Sequence, residues 1–291
     1  HRKVKKHEVL TLPLDSFTPQ YSILMSLRKS IFFASDLHLG LESSIPPRER
    51  ERMVVNWLQC IRPRAEELFL LGDVFDFWFE YRHVVPKGYI RFLAALAEFT
   101  DRGIPVHIVT GNHDAWLFNY LPKEIGVEIL HGPIDVVRHG RRLYLCHGDE
   151  VGHRPIAYRL MRAVFHARAV QQAFAWLVHP DIAHAFGHNW SHHSRKVKPI
   201  AHVFRGDKEP LVKFFSRNDA IDAHDLYIAG HLHTPVLHLL PNQTLAIILG
   251  DWISSFTFAE WDGEYLSLRA VTGNATSSHS MAKISFPDRN P

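Results

Sequence analysis

The chain has 291 residues, 46% of them hydrophobic and 22% charged, which supplies enough apolar material for a large core and excludes a disordered chain. Thirty-three Lys and Arg against 30 Asp and Glu leave a formal charge of +3, too small a surplus to mark a nucleic-acid binder. Two cysteines are too few for a disulfide framework, no run approaches 18 uninterrupted apolar residues, and histidine is the outlier with 22 copies.

Residues 1–24 mix charges, prolines and isolated apolar residues without a sustained period, and read as an upstream extension with Met25 as the natural start. A secretory signal is not expected, because no apolar stretch with a small-residue cleavage site follows the basic opening. From Ile31 onward, short apolar runs alternate with helical patterns, as repeated strand–helix–strand units do. Runs at 31–34, 68–71, 106–109, 143–146 and 226–229 predict buried strands, while 48–60 and 88–100 predict helices. Cys60 and Cys146 lie within apolar surroundings and are expected to be reduced core thiols. Residues 151–220 hold 11 Lys and Arg against 4 Asp and Glu, with eight histidines. They predict a basic, mainly helical cap inserted between core segments 25–150 and 221–271. After Pro235 the pattern is strands alone, over 236–240, 244–249, 255–260 and 265–270, and the polar, Ser-rich residues 272–291 are expected to form a flexible tail.

Five of the predicted strands end in residues that ligate metals: Asp36-Leu37-His38, Gly72-Asp73, Gly111-Asn112-His113-Asp114, His147-Gly148-Asp149 and Gly230-His231-Leu232-His233. Sites in open α/β sheets form beyond the carboxyl ends of the strands, so these loops converge on one crevice. The i, i+2 spacing of Asp36 with His38 and of His231 with His233 puts each pair on one side of extended backbone. Two aspartates, one asparagine and four histidines make seven oxygen and nitrogen donors without a thiolate. That set suits Mn, Fe, Zn or Co in an open site better than a structural zinc knuckle or a calcium cage. Seven donors are too many for one catalytic ion and fit two if one carboxylate, Asp73, bridges them. Two ions roughly 3.5–4 Å apart would activate water and clamp a phosphoryl oxygen for in-line displacement. His113, on the Asn112 loop, is placed to act as a general acid with Asp114 orienting it and raising its pKa. Asp76 and Trp78 fit the site floor, and Asp149 and Glu150 fit carboxylates behind it. His107, His131, His139 and His238 have no ligand-type companions and read as ordinary surface or half-buried residues.

This ordered series, spaced 37, 39, 35 and 84 residues by first polar ligand, closely resembles the calcineurin-like metallophosphoesterases. The resemblance implies an α/β fold, a four-layer αββα sandwich with a helical cap insertion. It also implies two ion sites, one held by Asp36, His38, Asp73 and His233 and the other by Asp73, Asn112, His147 and His231, with Asn112 also meeting the substrate.

A narrower resemblance rests on Phe33-Ala34-Ser35-Asp36-Leu37-His38-Leu39-Gly40, on Leu71-Gly72-Asp73 with Phe75-Asp76-Phe77-Trp78, and on Leu249-Gly250-Asp251-Trp252. Across residues 28–270 the chain looks like the UDP-2,3-diacylglucosamine hydrolases of lipid A synthesis. That likeness implies attack on the α-phosphorus of a UDP-linked glycolipid to give UMP and 2,3-diacylglucosamine 1-phosphate, commonly with Mn²⁺. It further implies a cytoplasmic protein in peripheral contact with the inner membrane of a Gram-negative-type bacterium, and no nucleic-acid partner. Tyr158, eleven residues after His147, stands where that family places a substrate-contacting tyrosine, and Ser194, Arg195, Lys196 and Lys198 are placed to meet phosphate or sugar. Arg159, Arg162 and His166 recur at helical spacing beside Met161, Val164 and Phe165, the pattern of a basic amphipathic helix on an anionic membrane. One position departs, since the lipid A branch commonly has Arg where this chain has His113. The competing reading is a general phosphodiesterase or phosphatase acting on a soluble nucleotide or phosphoprotein, whose cap would lack a deep apolar pocket.

Overall fold

The computed structural model describes residues 29–286, apart from 152–155, 157–159, 161, 162, 166, 184 and 186–202. In chain order the elements are β1 (Ser30–Ala34), α1 (Pro47–Ile61), β2 (Ala65–Leu71), α2 (Ile90–Thr100), β3 (Val106–Val109), α3 (Tyr120–Ile125), β4 (Glu128–Leu130), β5 (Ile134–Arg138), β6 (Arg141–Cys146), α4 (Arg168–Leu177), α5 (Pro210–Ile221), β7 (Leu226–Ala229), β8 (Pro235–Leu239), β9 (Leu245–Leu249), β10 (Thr257–Trp261), β11 (Tyr265–Thr272) and β12 (Ser277–Ser285). They form a seven-stranded sheet ordered β12-β11-β10-β1-β2-β3-β4 and a five-stranded sheet ordered β5-β6-β7-β9-β8. Strands β1 to β4 run parallel, as do β6, β7 and β9.

Strand alternation sorts the side chains into layers. Ile31, Phe33, Phe69, Leu71 and Val109 face Leu143, Leu145, Ile228, Ile247 and Leu249 of the second sheet, forming a core between the sheets. The alternate residues Phe32, Leu68, Leu70 and Ile108 meet the helices instead. On α1 the apolar stripe is Val54, Trp57, Leu58 and Ile61, and on α2 it is Phe92, Ala95, Leu96 and Phe99, each at helical spacing. Pro47 starts α1 with its φ already set for a helix. The first turn of α2 lacks a cap of its own; Glu51 of α1 accepts from the N–H groups of Arg91 and Phe92 at 3.1 and 3.3 Å. Behind the second sheet, Leu211, Val212 and Phe215 of α5 cover Tyr144, Tyr227 and Ile248. The result is the four-layer αββα sandwich.

Three expectations change. The C-terminal tail is not uniformly loose: residues 277–285 form β12, which pairs antiparallel with β11 and places Ile284 opposite Leu266. Its Ser-rich outer face reflects an edge strand wetted on one side. Cys60 is an exposed free thiol rather than a core one, while Cys146 is free and buried. His107 does have companions, because strand pairing brings it between Glu67 of β2 at 2.8 Å and Glu128 of β4 at 2.6 Å. Of residues 151–220, α4 and α5 are described, α5 packing on the second sheet as a layer of the sandwich, and Ile156, Leu160, Trp176, Leu177 and Ile182 are apolar and exposed. Among the described residues no helix is long and apolar enough to cross a membrane.

Glu67 also accepts both arms of the Arg138 fork from β5, at 2.6 and 2.7 Å, so one buried carboxylate ties the two sheets together. Burial alone would raise the Glu67 carboxyl, but hydrogen bonds from Arg138 and His107 hold it down at about 2. Glu67 therefore contributes stability that is complete above its unfolded value and lost as pH falls through about 2. His107, raised by the same carboxylates against the opposite pull of burial, loses its share as pH rises through its folded value. Glu67→Gln should lower unfolding free energy by about 1–3 kcal/mol at pH 5.5. The deficit should shrink toward pH 2, as read by urea titrations across that range.

Candidate metal centre

The parallel strands of both sheets point their carboxyl ends the same way, and six of the loops beyond them build one site. Asp36 and His38 follow β1, Asp73 and Asp76 follow β2, and His113 and Asp114 follow β3. From the second sheet come His147 after β6, His231 and His233 after β7, and Asp251 after β9. Main-chain bonds lace the loops together: Asp36 N donates to Gly72 O at 3.0 Å, His38 N to Asp73 O at 2.9 Å, and Trp252 N to Asp36 O at 3.0 Å.

The donor pairs do not sit on extended backbone. Asp36, His38, Asp73, His231 and His233 all have positive φ, between 42° and 67°. Left-handed conformation at a residue with a Cβ costs of order 1–3 kcal/mol and persists only where surrounding contacts enforce it. Here the enforced kinks turn each donor inward. Two glycines make room: a Cβ on Gly72 would lie 2.5 Å from His147 Nδ1, and one on Gly230 would lie 2.5 Å from Asp36 Oδ2.

Three imidazoles are fixed the same way. His147 Nδ1 lies 2.9 Å from Leu71 O, His38 Nδ1 lies 3.4 Å from Asp76 Oδ1, and His233 Nδ1 lies 3.2 Å from Asp251 Oδ2. Each acceptor receives the Nδ1–H and so turns Nε2 inward as the nitrogen that would meet an ion. His38 Nε2 and His233 Nε2 stand 3.8 and 3.5 Å from Asp36 Oδ1, and His147 Nε2 stands 3.4 Å from Asp73 Oδ2. Asp73 Oδ2 is also 3.6 Å from His38 Nε2, so it faces both groups. Donors about 2.1 Å from a shared ion lie roughly 3–3.5 Å apart, close to these separations. Among the described residues Asp36 Oδ1 and His147 Nε2 have no hydrogen-bond partner although both are buried, as atoms reserved for a cation are. The residues present therefore fit divalent metal.

The rings differ in their electrostatics: against the lowering effect of burial, Asp73 pulls His147 and Asp36 pulls His233 above the ordinary imidazole value. Burial holds the His38 imidazole down at about 3, so it is neutral at pH 7 and able to ligate. Burial would raise Asp73, yet His147, His113 and His38 override it and keep the carboxyl well below the ordinary range.

Asp36, His38 and His233 form one tight group, and Asp36, Asp73 and His147 a second. A third, His38, Asp76 and His113, was not expected. His231 lies outside these groups; its ring packs edge-on against His147 at 5.2 Å and its N–H donates to Asp36 Oδ2 at 2.9 Å. Asn112 is exposed beside His113. Tyr158, Ser194, Arg195, Lys196 and Lys198 lie outside the described residues.

Asp114 does not orient His113. Its carboxylate is fully buried and accepts from Gly111 N and Val74 N, both at 2.7 Å, which pins the Asp73 and Asn112 loops together. Burial, then the charge of Asp73, pushes it up to about 6. His113 Nδ1 instead meets the main-chain oxygen of Asp76 at 2.8 Å, leaving Nε2 facing Asp73 Oδ2 at 3.9 Å. Asp149 is buried behind His147, and Glu150 accepts from Gly148 N at 3.2 Å.

Asp251 is the functional residue that the ligand motifs did not supply. Besides His233 it accepts from the N–H groups of Ser254 and Ser255 at 2.9 and 2.8 Å, and these bonds hold it charged. Its sequence signal is a Gly-Asp pair after an apolar strand, the same arrangement as Gly72-Asp73.

The profile of calcineurin-like phosphoesterases matches residues 29–235. The chain belongs to this family. UDP-2,3-diacylglucosamine hydrolase of Porphyromonas gingivalis is 37% identical over 261 residues, covering 84% of this chain and 98% of that one. The proteins of the same name from Haemophilus influenzae and Histophilus somni are 28% and 29% identical, covering 78% and 77% of this chain and 92% of each relative. A carboxylate behind a histidine ligand fixes the ring and raises its basicity, so Asp251 should set the affinity of the centre. Asp251→Asn should weaken Mn²⁺ binding about 10–100-fold by calorimetry, with the far-ultraviolet circular dichroism unchanged.

Proposed function

We propose that this phosphoesterase hydrolyses the pyrophosphate of UDP-2,3-diacylglucosamine, releasing UMP and 2,3-diacylglucosamine 1-phosphate. The observation that carries the reading is the 37% identity to a hydrolase of that name over 98% of its length, on a chain whose donors converge as a phosphoesterase requires. In this reading Asp36, His38, Asp73 and His233 hold one divalent ion, and Asp73, Asn112, His147 and His231 hold the other, Mn²⁺ being the resident metal. Bound ions would supply Lewis-acid neutralisation of phosphoryl charge and a water acidic enough to attack at neutral pH.

The chain's own residues do the rest. Asp76 O accepts the Nδ1–H of His113, which leaves Nε2, on a ring 15% exposed, facing the site as the nitrogen through which a proton can pass. From there it is donated to the leaving or non-bridging oxygen. Tyr158, Ser194, Arg195, Lys196 and Lys198 contact the nucleotide-sugar. The exposed Leu160, Trp176 and Leu177 support a cap that takes acyl chains and rests on the cytoplasmic face of the inner membrane.

Mn²⁺-loaded protein should convert UDP-2,3-diacylglucosamine to UMP, with ¹⁸O from solvent water found in UMP by mass spectrometry. Turnover of aryl phosphodiesters alone would overturn the substrate assignment and favour a general phosphodiesterase. His113→Ala should lower kcat about 10²–10⁴-fold with the bound metal unchanged. Full turnover by that variant would remove His113 from proton transfer.

A further inference from the structure

The loop between β2 and α2 carries Asp73 and Asp76 at its start and Glu80 further on. Glu80 is buried, 7% exposed, and among the described residues its carboxylate forms no ion pair. It accepts four hydrogen bonds instead. Oε1 takes Trp78 Nε1–H at 3.2 Å and Phe118 N–H at 2.9 Å, while Oε2 takes Asn119 N–H at 3.0 Å and Tyr120 N–H at 3.1 Å. Both oxygens are thus spent joining the Asp73 loop to the loop that begins with Asn112 and His113. A carboxylate held by four N–H groups is a stiff junction, because each bond to a charged acceptor is about twice as strong as a neutral one.

What stands beside that junction is the seat of the cap. Phe79 pairs with Trp116 in an isolated parallel bridge, their rings 4.3 Å apart, and Phe174 of α4 packs on both at 5.3 and 5.2 Å. Tyr81 Oη donates to Val178 O at 2.8 Å, and Trp116 Nε1 donates to Phe165 O at 2.9 Å. Arg168 lies over the ring of Phe118, 4.6 Å from its centroid. Every core residue in these contacts is within four positions of Glu80 or of the N–H groups that it binds.

We infer that Glu80 is a positioning residue that holds the cap's seat in register with the His113 loop. It thereby sets affinity for the part of the substrate held by the cap and takes no part in chemistry at phosphorus. The inference rests on the hydrolase reading for its kinetic arm only.

Glu80→Gln keeps the shape but presents an NH₂ group to N–H donors. It should raise KM for UDP-2,3-diacylglucosamine about tenfold, with kcat changed less than about twofold. Independently of any substrate, amides of residues 168–178 should exchange with deuterium at least about threefold faster than in the parent, with bound Mn²⁺ unchanged. Glu80→Asp, one methylene shorter, should not restore either quantity. Unchanged exchange in 168–178 would overturn the inference, as would equal losses of kcat on glycolipid and on an aryl phosphodiester or a loss of bound metal. If the parent protein fails to cleave the glycolipid, the functional reading falls while the exchange measurement still decides the role of Glu80.

Discussion

One carboxylate organises the centre. Asp73 is buried at the end of β2, where an uncompensated charge would cost several kcal/mol. Its two oxygens are used differently: Oδ1 accepts the N–H of His113 at 2.9 Å, and Oδ2 faces Nε2 of both His38 and His147. The surroundings follow from keeping that group ionised and immobile. Gly111 lacks a side chain because Asp73 occupies the space that its Cβ would fill. Asp114 is committed to the main chain on either side of it, and Asp73 itself has φ 51°.

The imidazoles obey a second constraint, since a ring nitrogen becomes a ligand only when the other nitrogen keeps the proton. Three different acceptors impose this, a main-chain carbonyl for His147 and the carboxylates of Asp76 and Asp251 for His38 and His233. The stacking of His38 on His233, 5.1 Å between centroids and 14° between planes, follows from aiming both at Asp36 Oδ1.

Much of this was legible in the sequence, for physical reasons. Strands buried on both faces write themselves as unbroken apolar runs, so β1, β2, β3, β6 and β7 stand out, and the His, Asp and Asn residues at their ends mark where donor groups converge. What escaped obeys weaker rules. β12 hides because an edge strand tolerates serine on its wet face, and α3, with six residues, is too short to show a period. The tie of His107 to Glu67 and Glu128 exists only through strand pairing. Asp114 adjoins His113 in sequence and yet serves the backbone, because the local turn aims its carboxylate at Gly111 and Val74. Asp251 needed the position of β9 beside β7 before its carboxylate could be connected to His233.

The donors are divided between the sheets: Asp36, His38 and Asp73 leave the seven-stranded sheet, while His147 and His233 leave the five-stranded one. Neither sheet alone could assemble the centre. A cation held there is a cross-link across the sandwich, and its binding free energy opposes separation of the two halves. Metal occupancy and global stability would thereby be linked, each ion bound adding to the free energy that holds the two sheets together.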